Sequence, residues 1–280
     1  MIGGIFKLNK KQRRKMAESN FKILKSGKLK VKKGQKINLR PFITNSVENS
    51  VVGRLDGIIS KENVVVDTED LHQNVTSNML SDIHVASLAA KTEKPGISTL
   101  VVTVNKKNAL DAFDLMRDDS LGILLRTSTL TSCYMELKQE WKDLNEEDNS
   151  NFTNVLYVPE VMVFVDPDTG KLLKKPFKVN IIILAIPTKK NMSEQGVEEF
   201  TDEMAASRVI ADIMDSAIKL GCKDIIIDPY CHKYLISMPY DAGKLWNNIV
   251  STQRCIEQFK SIIFAIEDEE LFVSFNAASK

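Results

Sequence analysis

A few residues in this chain are of the types and spacings that could do chemistry. The stretch Gly221 to Trp246, GCKDIIIDPYCHKYLISMPYDAGKLW, reads as an apolar strand at Asp224–Ile227, a turn-rich segment, and a helix that Pro239 and Asp241 open. Strand, loop and helix start in that order form an anion site in α/β proteins, because the first N–H groups of a helix have no partner within it. Such a loop uses glycine to bring its backbone against a phosphate, and none lies between Gly221 and Gly243. Cys231 and His232 are the one adjacent thiol and imidazole. Neighbours on an extended chain point apart, so adjacency alone makes no catalytic pair. His72 and His84 have no companion at metal-ligand spacing, and Asp166 and Asp168 sit in a Pro-Asp-Thr-Gly turn with no EF-hand loop. No metal and no cofactor is expected.

The elements that must position these residues follow from periodicity and turn signals. Asn9 caps a helix running to about Ser26, with Ala17, Phe21 and Leu24 on one face and Gly27 to end it. Lys28 to Leu39 reads as a hairpin turning at Lys33-Gly34. Val64–Asp67 is a strand candidate, Ile83–Ala90 a strand end or short helix, and Thr99–Val104 a strand. Asn108–Leu115 suits a helix or a structured loop, and Thr131–Leu144 a helix. Val161–Val165 and Val179–Ile186 are strands separated by a turn and a short basic arm, the second apolar on both faces and therefore central. Ile210, Ile213, Met214, Ala217 and Leu220 repeat at helical spacing up to Gly221. A last strand at Ile262–Ile266 and a short helix close the chain. Strands alternating with helices predict an α/β fold.

At 280 residues and 43% hydrophobic content the chain can bury one large core, and no run of 18 apolar residues exists to span a membrane. MIGGIF precedes its basic residues, the reverse of a secretory signal, so a cytoplasmic or nuclear location is expected. Cys133, Cys222, Cys231 and Cys255 lie far apart with no CxxC, which predicts reduced thiols. The net charge of +1 hides an asymmetry: up to Arg40 there are fourteen Lys or Arg against Glu18 alone. The remainder is acidic, with 24 basic residues (38 less 14) and 36 acidic residues (37 less 1). That split predicts contact with a polyanion or with the acidic face of another copy, or else a solvated helix balanced by its own acidic body. The run Lys10, Lys11, Gln12, Arg13, Arg14, Lys15 also passes for a nuclear localisation signal.

Several segments, in order, carry a resemblance. RRKMAESNFKILKSGKL looks like an opening helix, INLRPFITNSVENSVV like the strand and helix start that follow, and LYVPEVMVFVDPDTGKLLKKPFKVNIIILAIP like a tyrosine-proline segment, hairpin and central strand. MAASRVIADIMDSAIKLGCKDIIIDPYCHKYLISMPYDAGKLW is similar to a long helix, strand, phosphate loop and final helix. Together they resemble the microbial-type poly(ADP-ribose) glycohydrolases. The resemblance implies a macrodomain-like three-layer α/β/α sandwich with a mixed central sheet and an N-terminal helical extension. Residues 1–90 would be the basic extension packed on the core, and 91–280 the core.

In that family a strand ends in Asn-Pro-Gly-Gly-Gly and a Gln-Glu-Glu follows. Laid on this chain, the asparagine falls on Asn105, the glycines on Lys107, Asn108 and Ala109, and the carboxylate motif on Arg117, Asp118 and Asp119. Each glutamate becomes an aspartate one methylene shorter, which retracts a general acid from the atom it must reach. Without the resemblance, Arg117–Asp119 reads as a solvated helix face. The second loop's glycines fall at Cys231, Lys233 and Ile236, where side chains take the space of a phosphate. The resemblance further implies that Tyr157–Pro159 line the cleft.

The expected function is a degenerate, non-catalytic member that binds a protein or nucleic-acid partner. Lys10, Lys11, Arg13, Arg14 and Lys15 would meet a polyanion, and self-association stays open. The alternative is an ADP-ribosyl glycohydrolase or ADP-ribose reader with a remodelled site. It would use Asp118 or Asp119 as acid, with Asn105, Lys107, Tyr230, Cys231, Lys233 and Tyr234 holding the ligand.

Overall fold

The structure, a computed structural model, describes residues 9–31, 36–58, 74–79, 97–117, 119–146, 151–192 and 200–278. The Lys33-Gly34 turn, Val64–Asp67, Ile83–Ala90, His72, His84 and Asp118 lie outside them. Nine strands are described: β1 Lys28–Lys30, β2 Lys36–Asn38, β3 Val51–Arg54, β4 Asn74–Met79, β5 Thr99–Asn105, β6 Asn154–Val165, β7 Leu172–Ile186, β8 Asp224–Ile227 and β9 Ser261–Ile266. The helices are α1 Lys10–Ser26, α2 Arg40–Glu48, α3 Ser120–Thr127, α4 Leu130–Glu146, α5 Lys189–Met192, α6 Asp202–Lys219, α7 Lys233–Ile236, α8 Pro239–Val250, α9 Gln253–Gln258 and α10 Glu269–Ala278.

Seven strands form one sheet in the order β3-β6-β7-β5-β8-β9-β4. β6 pairs antiparallel with both β3 and β7, whereas β7, β5, β8, β9 and β4 run parallel, so the sheet is mixed. The apolar run of β7 divides by alternation. Ile182, Leu184 and Ile186 enter the cluster under α6, α8 and α10, while Ile181, Ile183 and Ala185 enter the cluster under α3 and α4. Each fully buried isoleucine contributes about 1.5–3 kcal/mol, and the two clusters make the layers of an α/β/α sandwich. Tyr157 belongs to the first cluster and is only 6% exposed, so it is core and does not line a cleft.

The strand expected at Val161 begins at Asn154, because a bulge between Val158 and Val161 absorbs Pro159. Glu160 takes φ 54° there, held by Lys178 at 2.8 Å and Asn45 at 3.1 Å. The basic arm before Val179 is itself strand, the solvent-facing half of β7.

α1 forms as its ends dictate. Asn9 and Gln12 make a reciprocal capping box, and Gly27 closes the helix at φ 65°, a left-handed conformation that favours glycine. Met16 and Leu24 of α1, Leu29 of β1 and Leu39 pack onto Met162, Phe164 and Val165 at the far end of the β6–β7 hairpin. The buried Asn20 side chain donates to the Leu125 and Ser128 carbonyls at 2.9 and 3.2 Å, which fixes the rotation of α1 on the body. Phe21, placed by periodicity on the apolar face, is instead 56% exposed. β3 and β4 both come from residues 1–90 and sit at the two edges of the seven-stranded order, so a division at residue 90 cuts through the sheet.

Candidate functional site

The site expected from the sequence lies where parallel strands β5 and β8 end. Val101 pairs with Ile227, so β5 outruns β8 to Asn105, and the loop after β8 lies alongside the last residues of β5. The Thr103 hydroxyl ties the two together by donating to the Cys231 carbonyl at 2.6 Å.

The loop after β5 folds into tight 3₁₀ turns at Lys106–Asn108 and Asp111–Phe113. Asn105 caps the first, its side-chain oxygen accepting from Lys107 N–H at 3.1 Å. One lone pair of that oxygen is thereby used by the loop's own backbone. Lys106 turns inward, 8% exposed, and its ammonium donates to the Phe152 carbonyl at 2.9 Å. Lys107, expected to fill the place of a glycine, is exposed. A residue that leads a 3₁₀ turn and one that follows it point to different sides, and the turn puts Lys106 underneath.

Asp119 caps α3. Its Oδ1 accepts from Gly122 N–H at 2.9 Å, and its Oδ2 accepts from Arg117 Nε at 2.8 Å and also from Arg117 Nη2. Both carboxylate oxygens thus hold the chain that leads into α3. Gly122 is required there, since a Cβ on it would lie 2.5 Å from the Arg117 carbonyl oxygen. Beneath, the buried Arg126 guanidinium donates from Nη1 to the Leu115 and Arg117 carbonyls, each at 2.6 Å. Arg126 was legible as the one charge in the stretch Ser120–Met135, directly after the apolar Leu121–Leu125, a sign of a buried cation serving backbone oxygens.

The loop after β8 is bonded in the same inward way. Asp228 accepts from Tyr230 N–H at 2.8 Å through its side chain and from Cys231 N–H at 3.1 Å through its carbonyl. The Tyr230 hydroxyl donates to the Pro239 and Leu271 carbonyls, at 3.1 and 3.2 Å, and Trp246 Nε1 donates to the Pro229 carbonyl at 2.9 Å. One hydroxyl proton serves one of those two carbonyls at a time. Tyr234 is buried, and its hydroxyl accepts from Lys189 N–H at 2.7 Å. Lys233 and Ile236, the positions where glycine was lost, are exposed, so the inward side chains are Tyr230, His232 and Tyr234. Among the described residues neither loop has a positive φ, so these need no glycine.

Burial sets the electrostatics. It pushes the Asp228 carboxyl up to about 6, a rise the Tyr230 N–H bond opposes and the Glu267 charge adds to. It pushes the Cys231 thiol up, and it pulls the His232 imidazole down to about 4 with help from the Lys233 charge. His232 Nδ1 is buried without a hydrogen-bond partner, and its ring leans on Tyr234 at 4.8 Å between centroids. Cys231 and His232 therefore form no nucleophile–base pair. None of the four cysteines is in a disulfide, and no cluster that could hold a metal occurs among the described residues. No helix among them is long and apolar enough to cross a membrane.

Of the predicted polyanion contacts, Lys10, Lys11, Arg14 and Lys15 are exposed on α1, whereas Arg13 turns partly into the body.

No protein-family model matches the chain, and neither does any curated protein sequence. Solved structures do. A poly(ADP-ribose) glycohydrolase from Thermomonospora curvata bound to the inhibitor ADP-HPD superposes with a TM-score of 0.73 at 15% identity, over 95% of this chain and 98% of that one. The Deinococcus radiodurans poly(ADP-ribose) glycohydrolase in complex with ADP-ribose gives 0.63 at 15% identity, over 85% of this chain and 96% of that one. At such identity the likeness establishes architecture: this chain has the macrodomain-like fold of the bacterial poly(ADP-ribose) glycohydrolases.

Proposed function

We propose that this chain is a non-hydrolytic protein built on the glycohydrolase plan, which acts by binding a partner through its basic N-terminal region. The observation that carries the reading is the engagement of Asp119, whose two carboxylate oxygens both accept hydrogen bonds from the chain around α3. A general acid must bring a protonated oxygen within about 2.6–3.2 Å of the leaving atom, and each oxygen of this carboxylate is already tied to its own chain, Oδ1 by Gly122 N–H and Oδ2 by the Arg117 guanidinium. Asn105 is engaged in the same way by Lys107 N–H. A fold persists without its chemistry when function resides in loops grafted on it.

Incubation with poly(ADP-ribose) and with ADP-ribosylated protein tests the reading. Chromatography should show no released ADP-ribose above the buffer control. Release that disappears in the Asp119→Ala protein would establish a hydrolase with a remodelled site and reject the proposal.

A further inference from the structure

The outward face of α1 and the β1–β2 hairpin carries charge that the rest of the fold does not use. At 100° per residue, Lys10, Arg14 and Lys25 share a side of the helix with Phe21, and Lys11, Lys15 and Lys22 lie beside them. All of these are exposed, and among the described residues the one acid paired with any of them is Glu18, with Arg14 at 3.1 Å. Asn20, bonded to the Leu125 and Ser128 carbonyls, prevents the helix from rolling to hide this side. In the hairpin, Lys30 stands directly opposite Lys36, both exposed, a like-charge pair that is destabilising without a counter-charge. Arg40, also exposed, packs against Gly27 at the junction of helix and hairpin.

Phe21 makes this surface more than a bed of cations. It is 56% exposed in the middle of a basic helix whose buried side is made by Met16, Ala17, Asn20 and Leu24. An aromatic ring left in water among lysines is the arrangement that single-stranded nucleic acids meet, phosphates on the cations and a base on the ring. A duplex keeps its bases stacked on one another and offers the ring nothing.

We infer that this face binds single-stranded nucleic acid without sequence preference, its phosphates on Lys11, Lys15, Lys22 and Arg14 and one base stacked on Phe21. The inference rests on the reading of the basic N-terminal region as the binding surface, and names its ligand.

Fluorescence anisotropy of the full chain with a labelled oligothymidylate of about 20 nucleotides tests it. Binding should weaken steeply with salt. Phe21→Ala should weaken it roughly 5- to 100-fold with the salt slope unchanged. Lys11→Ala, Lys15→Ala and Lys22→Ala together should reduce the slope of log K against log salt by about 2. Phe21 is exposed and alanine favours helix, so the variant keeps its fold, which circular dichroism checks. If Phe21→Ala binds like wild type while the lysine variant does not, or if a matched duplex or polyglutamate competes equally well, the single-strand assignment is wrong and the basic surface stands. If no polyanion binds at all, both fail.

Discussion

Two regions of this molecule dispose of their polar groups in opposite ways. At the ends of β5 and β8, Asn105, Asp119, Asp228 and Tyr230 spend their hydrogen bonds on the chain next to them. On α1 and its hairpin, a set of lysines stands in water, with Lys30 facing Lys36. A site that awaits a ligand keeps donors and acceptors in reserve, because the ligand's polar groups must be matched once both are desolvated. By that criterion the strand-end loops, where His232 Nδ1 is the buried exception, hold little in reserve, and the basic face is the region that needs something from outside.

Substitutions that loosen the strand-end loops sharpen this contrast. The largest loss should come from Arg126→Leu, which removes the buried guanidinium and leaves the Leu115 and Arg117 carbonyls without their donor. About 3 kcal/mol of stability should disappear, read by urea denaturation.

His232 should show itself through pH. Its folded value, lowered to about 4, lies below the ordinary 6.5, so the unfolded chain takes up a proton that the folded chain refuses. Stability is therefore full above pH 6.5 and falls as the pH drops toward 4, by on the order of 3 kcal/mol. Asp228 works the other way, since its raised value favours the folded state as pH falls from about 6 toward the ordinary 3.8. The difference between wild type and His232→Leu in denaturation at pH 7 and at pH 4.5 isolates the histidine. The variant should lose less on acidification, and parallel losses would show that this loop is more open to water than its bonding implies.

The smallest effect separates a cap from a catalyst. Asp119→Ala should cost about 1 kcal/mol through the lost α3 cap, seen as a modest drop in melting temperature. An unchanged melting temperature would mean that the carboxylate does not serve α3.

Local signals made much of this fold legible. Asn9, Gly27, Gly221 and Pro239 mark helix ends that depend on neighbouring residues alone, and the observed ends fall there. What depends on tertiary pairing was not legible. β4 becomes strand through its partner β9, and the lysine-rich half of β7 through β6. Pro159 hid the first half of β6, because a bulge that accommodates proline is not written in its neighbours. In the site, the absence of glycine around Lys107 and Lys233 goes with backbone that has no positive φ among the described residues there. Which side chains would turn inward was not legible, since a shift of one residue in a turn exchanges Lys107 for Lys106 and Lys233 for His232. The role of Asp119 as a cap was present in its position three residues before Gly122, and the wider pattern of carboxylates drew the reading toward an acid instead.

Calorimetric titration of the protein with ADP-ribose tests the central claim most directly. Loops in which Asn105, Asp119, Asp228 and Tyr230 already bond to their own chain should give no heat of binding up to millimolar ligand. A one-to-one isotherm with micromolar affinity would contradict the account and return the strand ends to service as a nucleotide site.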